Sequence, residues 1–104
     1  IMFNKEIAVL LTCHNRKSKT IACLTALHNC IITVNYTFEV FLVDDGSSDG
    51  TAEAVKENFS QVTITQGNGN LYWNQGMRLA WETAAKIKKY DFYSFILRLT
   101  LLLS

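Results

Sequence analysis

Proline is missing from all 104 residues. That is unusual for a complete domain, yet it excludes no fold class. Charge of one sign is missing as well: 10 Lys and Arg against 9 Asp and Glu leave a formal net charge of +1. So even a balance argues against a partner recognised mainly through a phosphate backbone, and no nucleic acid is expected. The nearest thing to a basic cluster is Lys86, Lys88 and Lys89. These stand at the end of a predicted helix, where cations favour the C-terminus and a solvated face explains them. Cysteine is sparse and odd in number, with Cys13, Cys23 and Cys30 and no secretory signal ahead of them. A reduced, cytoplasmic setting, at most peripheral to a membrane, is the simplest expectation. Cys23, His28 and Cys30 fall on one predicted helix without a second ligand pair, which argues against zinc there and leaves no metal ligand set.

Long apolar runs are also lacking. The C-terminal tail, residues 94–104, is about ten residues long and interrupted by Arg98, whereas a bilayer needs roughly 20. It reads as a strand running on, with self-association as a way to bury it. The phosphate-binding fingerprints are absent too. Gly67-Asn68-Gly69 lacks the third glycine of the dinucleotide motif, and no glycine-rich loop ends in Lys-Ser or Lys-Thr. Dinucleotide-dependent dehydrogenases and P-loop NTPases are set aside on that ground.

What is present is a regular alternation of strands and helices. Ile7-Ala8-Val9-Leu10-Leu11 is a short apolar run that breaks at Thr12-Cys13-His14-Asn15-Arg16, a buried strand feeding a polar loop. A helix follows from about Ser18 to Asn29, with Ile21, Leu24, Leu27 and His28 on one stripe. Phe38 to Val43 is the second strand and Thr51 to Asn58 the second helix, with Ala52, Val55 and Phe59 inward. Val62 to Thr65 alternates, as a more exposed third strand does. A third helix from about Trp73 to Lys89 carries Met77, Ala80, Trp81, Ala84 and Ile87 at helical spacing, and Phe92 to Leu97 is the fourth strand. Strands separated by helices imply crossover connections, hence an α/β fold of three layers, αβα, around a mainly parallel, Rossmann-like sheet of about four strands.

In such sheets ligands bind at the carboxyl ends of the strands. Three polar loops converge there: Thr12 to Arg16, Asp44 to Asp49, and Gly67 to Asn74. The most telling is Phe41-Leu42-Val43-Asp44-Asp45-Gly46-Ser47-Ser48-Asp49-Gly50-Thr51, where an apolar strand ends abruptly in two carboxylates and a turn. Gly46 permits the turn, and Ser48 or Asp49 can cap the helix that follows. The acids are explained either by what is presented to them, backbone N–H groups, a base N–H, hydroxyls or a metal ion, or by an N-cap and a solvated turn.

Four segments together resemble the N-terminal, nucleotide-binding half of a family 2 glycosyltransferase with the GT-A fold. They are Val9 to Arg16 at the first strand, Val43 to Ser47 with Asp49-Gly50-Thr51 at the second, Gly69 to Met77 ahead of the third helix, and Tyr90-Asp91-Phe92-Tyr93 entering the fourth strand. The similarity runs from about Lys5 to Tyr93. It implies a nucleotide-sugar donor, UDP- or dTDP-linked, lying across the first two strand ends. Thr12 and His14 would stand beside the nucleoside, and Asp45 would accept from the imide N–H of the base, a role for a group that accepts and does not donate. Asp44 would hold the turn or approach the ribose, and Arg16 would help neutralise a phosphate. Asn70, Trp73, Asn74 and Gly76 would cover the pyrophosphate and sugar, with the helix N-terminus adding N–H donors.

The resemblance also implies Mg²⁺ or Mn²⁺, held by an acidic motif at the end of the fourth strand. Here the register gives Leu97-Arg98-Leu99 before Thr100, and no carboxylate follows Asp91. The whole chain is expected to be one domain, the donor-binding half of a sugar transferase, with 94–104 departing from the family pattern as in a truncated or frame-disturbed product. The base that activates the acceptor would belong to the other half, so the chain alone is expected to be inactive. A non-catalytic nucleotide-binding module is the alternative. A receiver-like signalling domain is a third reading, but it needs an aspartate at the end of the third strand, where Thr65-Gln66 stand.

Overall fold

The computed structural model describes residues 5–30 and 36–96. Seven elements alternate: β1 (Lys5–Cys13), α1 (Lys17–Cys30), β2 (Tyr36–Asp44), α2 (Thr51–Asn58), β3 (Thr63–Gln66), α3 (Tyr72–Ile87) and β4 (Phe92–Phe95). The strands form one sheet in the order β3-β2-β1-β4, and every pairing is parallel. This is the three-layer α/β architecture expected from the alternation.

Both faces of the central strands are covered, which is why β1 and β2 read as continuous apolar runs and not as alternating ones. Val9, Leu11 and Cys13 of β1, with Val40 and Leu42 of β2, pack against Cys23, Leu24 and Leu27 of α1 and Val55 of α2. The intervening residues, Ala8, Leu10, Phe41 and Val43, point to the other face and meet Met77, Ala80 and Ala84 of α3. Two right-handed crossovers in one direction put α1 and α2 on one face. The return from β3 to β4, past β2 and β1, puts α3 on the other.

Several boundaries move. β1 and β2 run on to Cys13 and Asp44, so the acids begin inside the last rung of the sheet. The exposed third strand is confirmed as an edge, and β4 is the opposite edge. α3 starts at Tyr72 and ends at Ile87, short of Lys88 and Lys89. Lys88 therefore does not belong to a solvated helix face: its ammonium pairs with Glu6 at 2.5 Å and Glu39 at 3.7 Å. Of the apolar residues spaced along α3, Met77, Ala80 and Ala84 are buried, whereas Trp81 and Ile87 are exposed. Trp81 overhangs the edge strand, its ring meeting Tyr93 edge-on at 6.4 Å. Ile87 is the last helical residue and lines an open cavity at the amino edge of the sheet. His28, expected on the buried stripe of α1, instead lays its ring against Phe38 and Phe59 at the rim.

Among the described residues no helix is long and apolar enough to cross a membrane. Arg98 and most of the apolar tail, through which self-association was expected, lie outside the described residues. Within them, β4 leaves Phe92 and Phe95 exposed.

Candidate functional site

The strand order reverses at β1: the chain moves out through β2 to β3 and returns to β4 on the other side. In an open parallel sheet such a reversal opens a crevice at the carboxyl ends of the strands. Register places Cys13, Asp44 and Gln66 side by side on the last rung, so the three polar loops leave the sheet at one level.

Asp45 joins all three. Its N–H donates to the Cys13 carbonyl at 2.8 Å, and its own carbonyl accepts from His14 Nδ1 at 2.6 Å. A carbonyl only accepts, so the His14 proton sits on Nδ1, and Nε2 is left to accept from the Asn15 amide at 3.4 Å. The carboxylate turns the other way: Oδ1 accepts from the Gly69 N–H at 2.8 Å, and Oδ2 from the N–H groups of Leu71 and Tyr72 at 3.0 and 3.1 Å. The last two are the first free donors of α3, and an acid at that place is favoured by the helix dipole.

Asp44, also buried, works locally. Its Oδ1 accepts from the Ser47 N–H at 3.1 Å and from the Cys13 thiol at 4.0 Å. Burial, with the Asp44 charge adding to it, pushes the Cys13 thiol up to about 12, so Cys13 stays protonated and donates. Burial alone raises Cys23 to about 11. Neither thiol is a nucleophile at neutral pH. Asp49 stitches two helix starts together, accepting from the Lys17 N–H at 3.1 Å on one oxygen and from the N–H and hydroxyl of Thr51 on the other. The Thr51 hydroxyl is the largest cause holding its carboxyl below the ordinary value. Asp49 thus supplies the capping expected of Ser48 or Asp49, one residue ahead of Gly50 at the helix boundary.

Close backbone approach completes the brace. A Cβ on Gly46 would stand 2.8 Å from the Gly69 Cα, and one on Gly76 would collide with Thr12 Oγ1 and lie 2.9 Å from Thr12 Cβ. Thr12 is therefore a half-buried wall against which α3 rests. His14, Arg16, Asn70, Trp73 and Asn74 are exposed on the loops of this edge, with Tyr72 and Trp73 at 73% and 47% of full exposure. The structure thus gathers all the candidate residues at one edge, with Thr12, Asp44, Asp45 and Gly76 in the frame and His14, Arg16, Asn70, Trp73 and Asn74 exposed. The sequence reading gave Asn15 no role. Its left-handed backbone (φ 50°) lets its N–H donate to Ser47 Oγ and its Oδ1 accept from the Ser48 N–H, both at 2.8 Å. Asparagine's tolerance of that conformation was the available signal.

Whether these residues could hold a divalent metal is answered by their bonding. The carboxylates of Asp44, Asp45 and Asp49 all accept from groups of this chain, and among the described residues no three His, Cys, Asp or Glu stand together as a ligand set. They do not fit the ion that the family resemblance implies. The stretch expected to carry an acidic motif, 97–104, lies outside the described residues and contains no Asp or Glu.

Comparison with known proteins agrees with this architecture. The family model for glycosyl transferase family 2 matches residues 8–93, and the chain belongs to that family. Among solved structures it is similar to a mannosyltransferase, PcManGT from Pyrobaculum calidifontis, in complex with GDP-Man and Mn²⁺, at a TM-score of 0.57 and 21% sequence identity. The match covers 84% of this chain and 25% of that one, so the chain spans about a quarter of its structural neighbour's length. No curated protein matches it.

Proposed function

We propose that this chain is the donor-binding part of a nucleotide-sugar-dependent glycosyltransferase, taking a UDP- or dTDP-sugar for transfer to a glycan or lipid-linked acceptor. The observation that carries the reading is the convergence of three loops at the carboxyl edge, braced through Asp45, with Arg16, Trp73 and Asn74 exposed on them and His14 held by the Asp45 carbonyl. Thr12 and His14 would flank the nucleoside, Arg16 would offset phosphate charge, and Trp73 and Asn74 would cover the sugar. The solved mannosyltransferase was captured with GDP-Man, so guanine is the rival base. The acceptor site and the catalytic base belong outside these residues, because the carboxylates at this edge are already committed to N–H donors. The chain alone therefore binds donor and does not turn it over, as a non-catalytic module would. Buried, protonated thiols and a nucleotide-sugar donor suit a cytoplasmic setting, at most peripheral to a membrane.

Calorimetric titration with UDP, dTDP and GDP, each with Mn²⁺ and with EDTA, tests the proposal. Saturable binding of UDP or dTDP that survives EDTA is expected. Binding of none of the three would overturn the reading, and preference for GDP would overturn the choice of base.

A further inference from the structure

β2 has 9 residues and β3 only 4. Their pairing runs from Phe41 with Thr63 to Asp44 with Gln66, so among the described residues no strand lies beside Tyr36–Val40 on that side. The backbone there faces outward by register. The Asp44 carbonyl accepts from Gly67, toward β3, and the Asp45 N–H donates to Cys13, toward β1. These directions alternate along a strand, so the N–H and C=O of Phe38 point as those of Asp44 do, past the start of β3. A cavity of about 710 Å³ stands at this place, and its lining comes from both faces of β2. On one side are Phe38 and Val40 with His28 and Val62, and on the other Glu39 with Ile87 of α3. A space that follows an open strand edge and meets both of its faces has the shape of one more strand, and such an edge is a template for pairing.

Pattern and charge indicate the occupant. Leu97-Arg98-Leu99-Thr100-Leu101-Leu102-Leu103-Ser104, which lies outside the described residues, has a period of two. Leu97, Leu99, Leu101 and Leu103 share one face as a strand, with Arg98 and Thr100 on the other. The apolar row suits the side of Phe38 and Val40, which puts Arg98 on the side of Glu39. Glu6 and Glu39 share the single ammonium of Lys88, so a negative charge is left over among these three groups for the guanidinium to meet. The same chain cannot supply this strand. β4 lies at the opposite edge, with β1 and β2 between, three strand spacings or about 14 Å away. Ile96 still bonds to Leu10 there, and Arg98, two residues on, reaches only about 7 Å further.

We infer that the 97–103 segment of one copy of this chain adds as a strand along the Thr37–Val40 edge of a second copy, filling the amino-edge cavity with its leucines toward Phe38 and Val40 and Arg98 toward Glu39. A reciprocal exchange, each segment in the other's cavity, closes as a dimer.

Sedimentation velocity over a dilution series, with amide hydrogen exchange read by NMR at each concentration, tests this. The expected result is a dimer that dissociates on dilution, with protection of the Phe38 amide rising with concentration while the β1 amides stay constant. Leu99→Asp, which carries a charge into the apolar row, should weaken association by about tenfold or more. Arg98→Glu, which sets a like charge against Glu39, should weaken it by about twofold to fivefold, and by less in high salt. Neither substitution touches a described element, so the β1 amides should report an unchanged fold. A monomer at every concentration would overturn the inference. So would a dimer whose Phe38 amide exchanges as in the monomer, or one that Leu99→Asp leaves intact, because association then uses another surface, such as Phe92 and Phe95 exposed on β4. Phe38 protection that is indifferent to dilution would overturn it too, since the edge is then covered within one chain.

Discussion

The two edges of the sheet use carboxylates in opposite ways. At the carboxyl edge Asp44, Asp45 and Asp49 accept chiefly from backbone N–H groups, so they shape loops and leave the polar and aromatic tips of those loops facing outward. At the amino edge Glu6 and Glu39 meet side chains. Glu6 and Glu39 share the Lys88 ammonium, and Glu39 also accepts from the Tyr90 hydroxyl. Asp91 is the exception there: its carboxylate accepts the Glu6 N–H at 2.7 Å, and its own N–H donates to the Glu6 carbonyl at 2.8 Å. The first arrangement braces three loops together and the second clasps β4 and the end of α3 onto β1 and β2. An acid in a strand-end motif is therefore informative about function only once its partner is known.

Perturbing each edge should separate the two roles. The largest effect is expected at the carboxyl edge from Gly76→Ala, where the new methyl meets Thr12 in a packed wall. A loss of about 1–3 kcal/mol in urea unfolding is expected, as for other overpacked sites. Donor binding should weaken with it, since α3 and Thr12 must part. A variant as stable as the parent would mean that α3 does not rest on Thr12. At the amino edge Tyr90→Phe removes one hydroxyl bond from a ring that is buried against Phe41. It should cost about 1 kcal/mol and leave nucleotide binding unchanged. Lys88→Met should cost least, and the loss should shrink with added salt, because the ammonium and its two carboxylates are two-fifths to half exposed. Loss of nucleotide binding in either amino-edge variant would erase the distinction between the edges.

Much of the frame was legible in the sequence because periodicity reports burial. The runs at Ile7–Leu11 and Val40–Val43 are apolar on both faces only because helices cover both sides of the sheet, and the crossover lengths leave parallel pairing as the economical connection. The strand-end acids and the Gly67–Asn74 loop marked where the polar loops meet. What the sequence did not reveal was the direction in which each acid points. Asp44 and Asp45 are adjacent and chemically identical, yet one closes its own turn and the other reaches a loop 24 to 27 residues further along the chain. That choice depends on Gly46 and Gly69 touching, a tertiary contact with no local signature. Lys88 escaped for a similar reason, since its partners Glu6 and Glu39 lie on strands far away in the chain. Trp81 and Ile87 kept the helical period but overhang the sheet, where period and burial part company.

The most direct test of the central claim, that the carboxyl edge is a nucleotide site, is amide NMR of the chain titrated with UDP, dTDP and GDP in EDTA. The account predicts saturable shifts, with UDP or dTDP, confined to Thr12–Arg16, Asp44–Asp49 and Asn70–Gly76, with Thr37–Phe41 at the opposite edge silent. Shifts centred on the amino-edge cavity beside His28 and Glu39, or no saturable shifts with any of the three, would contradict it.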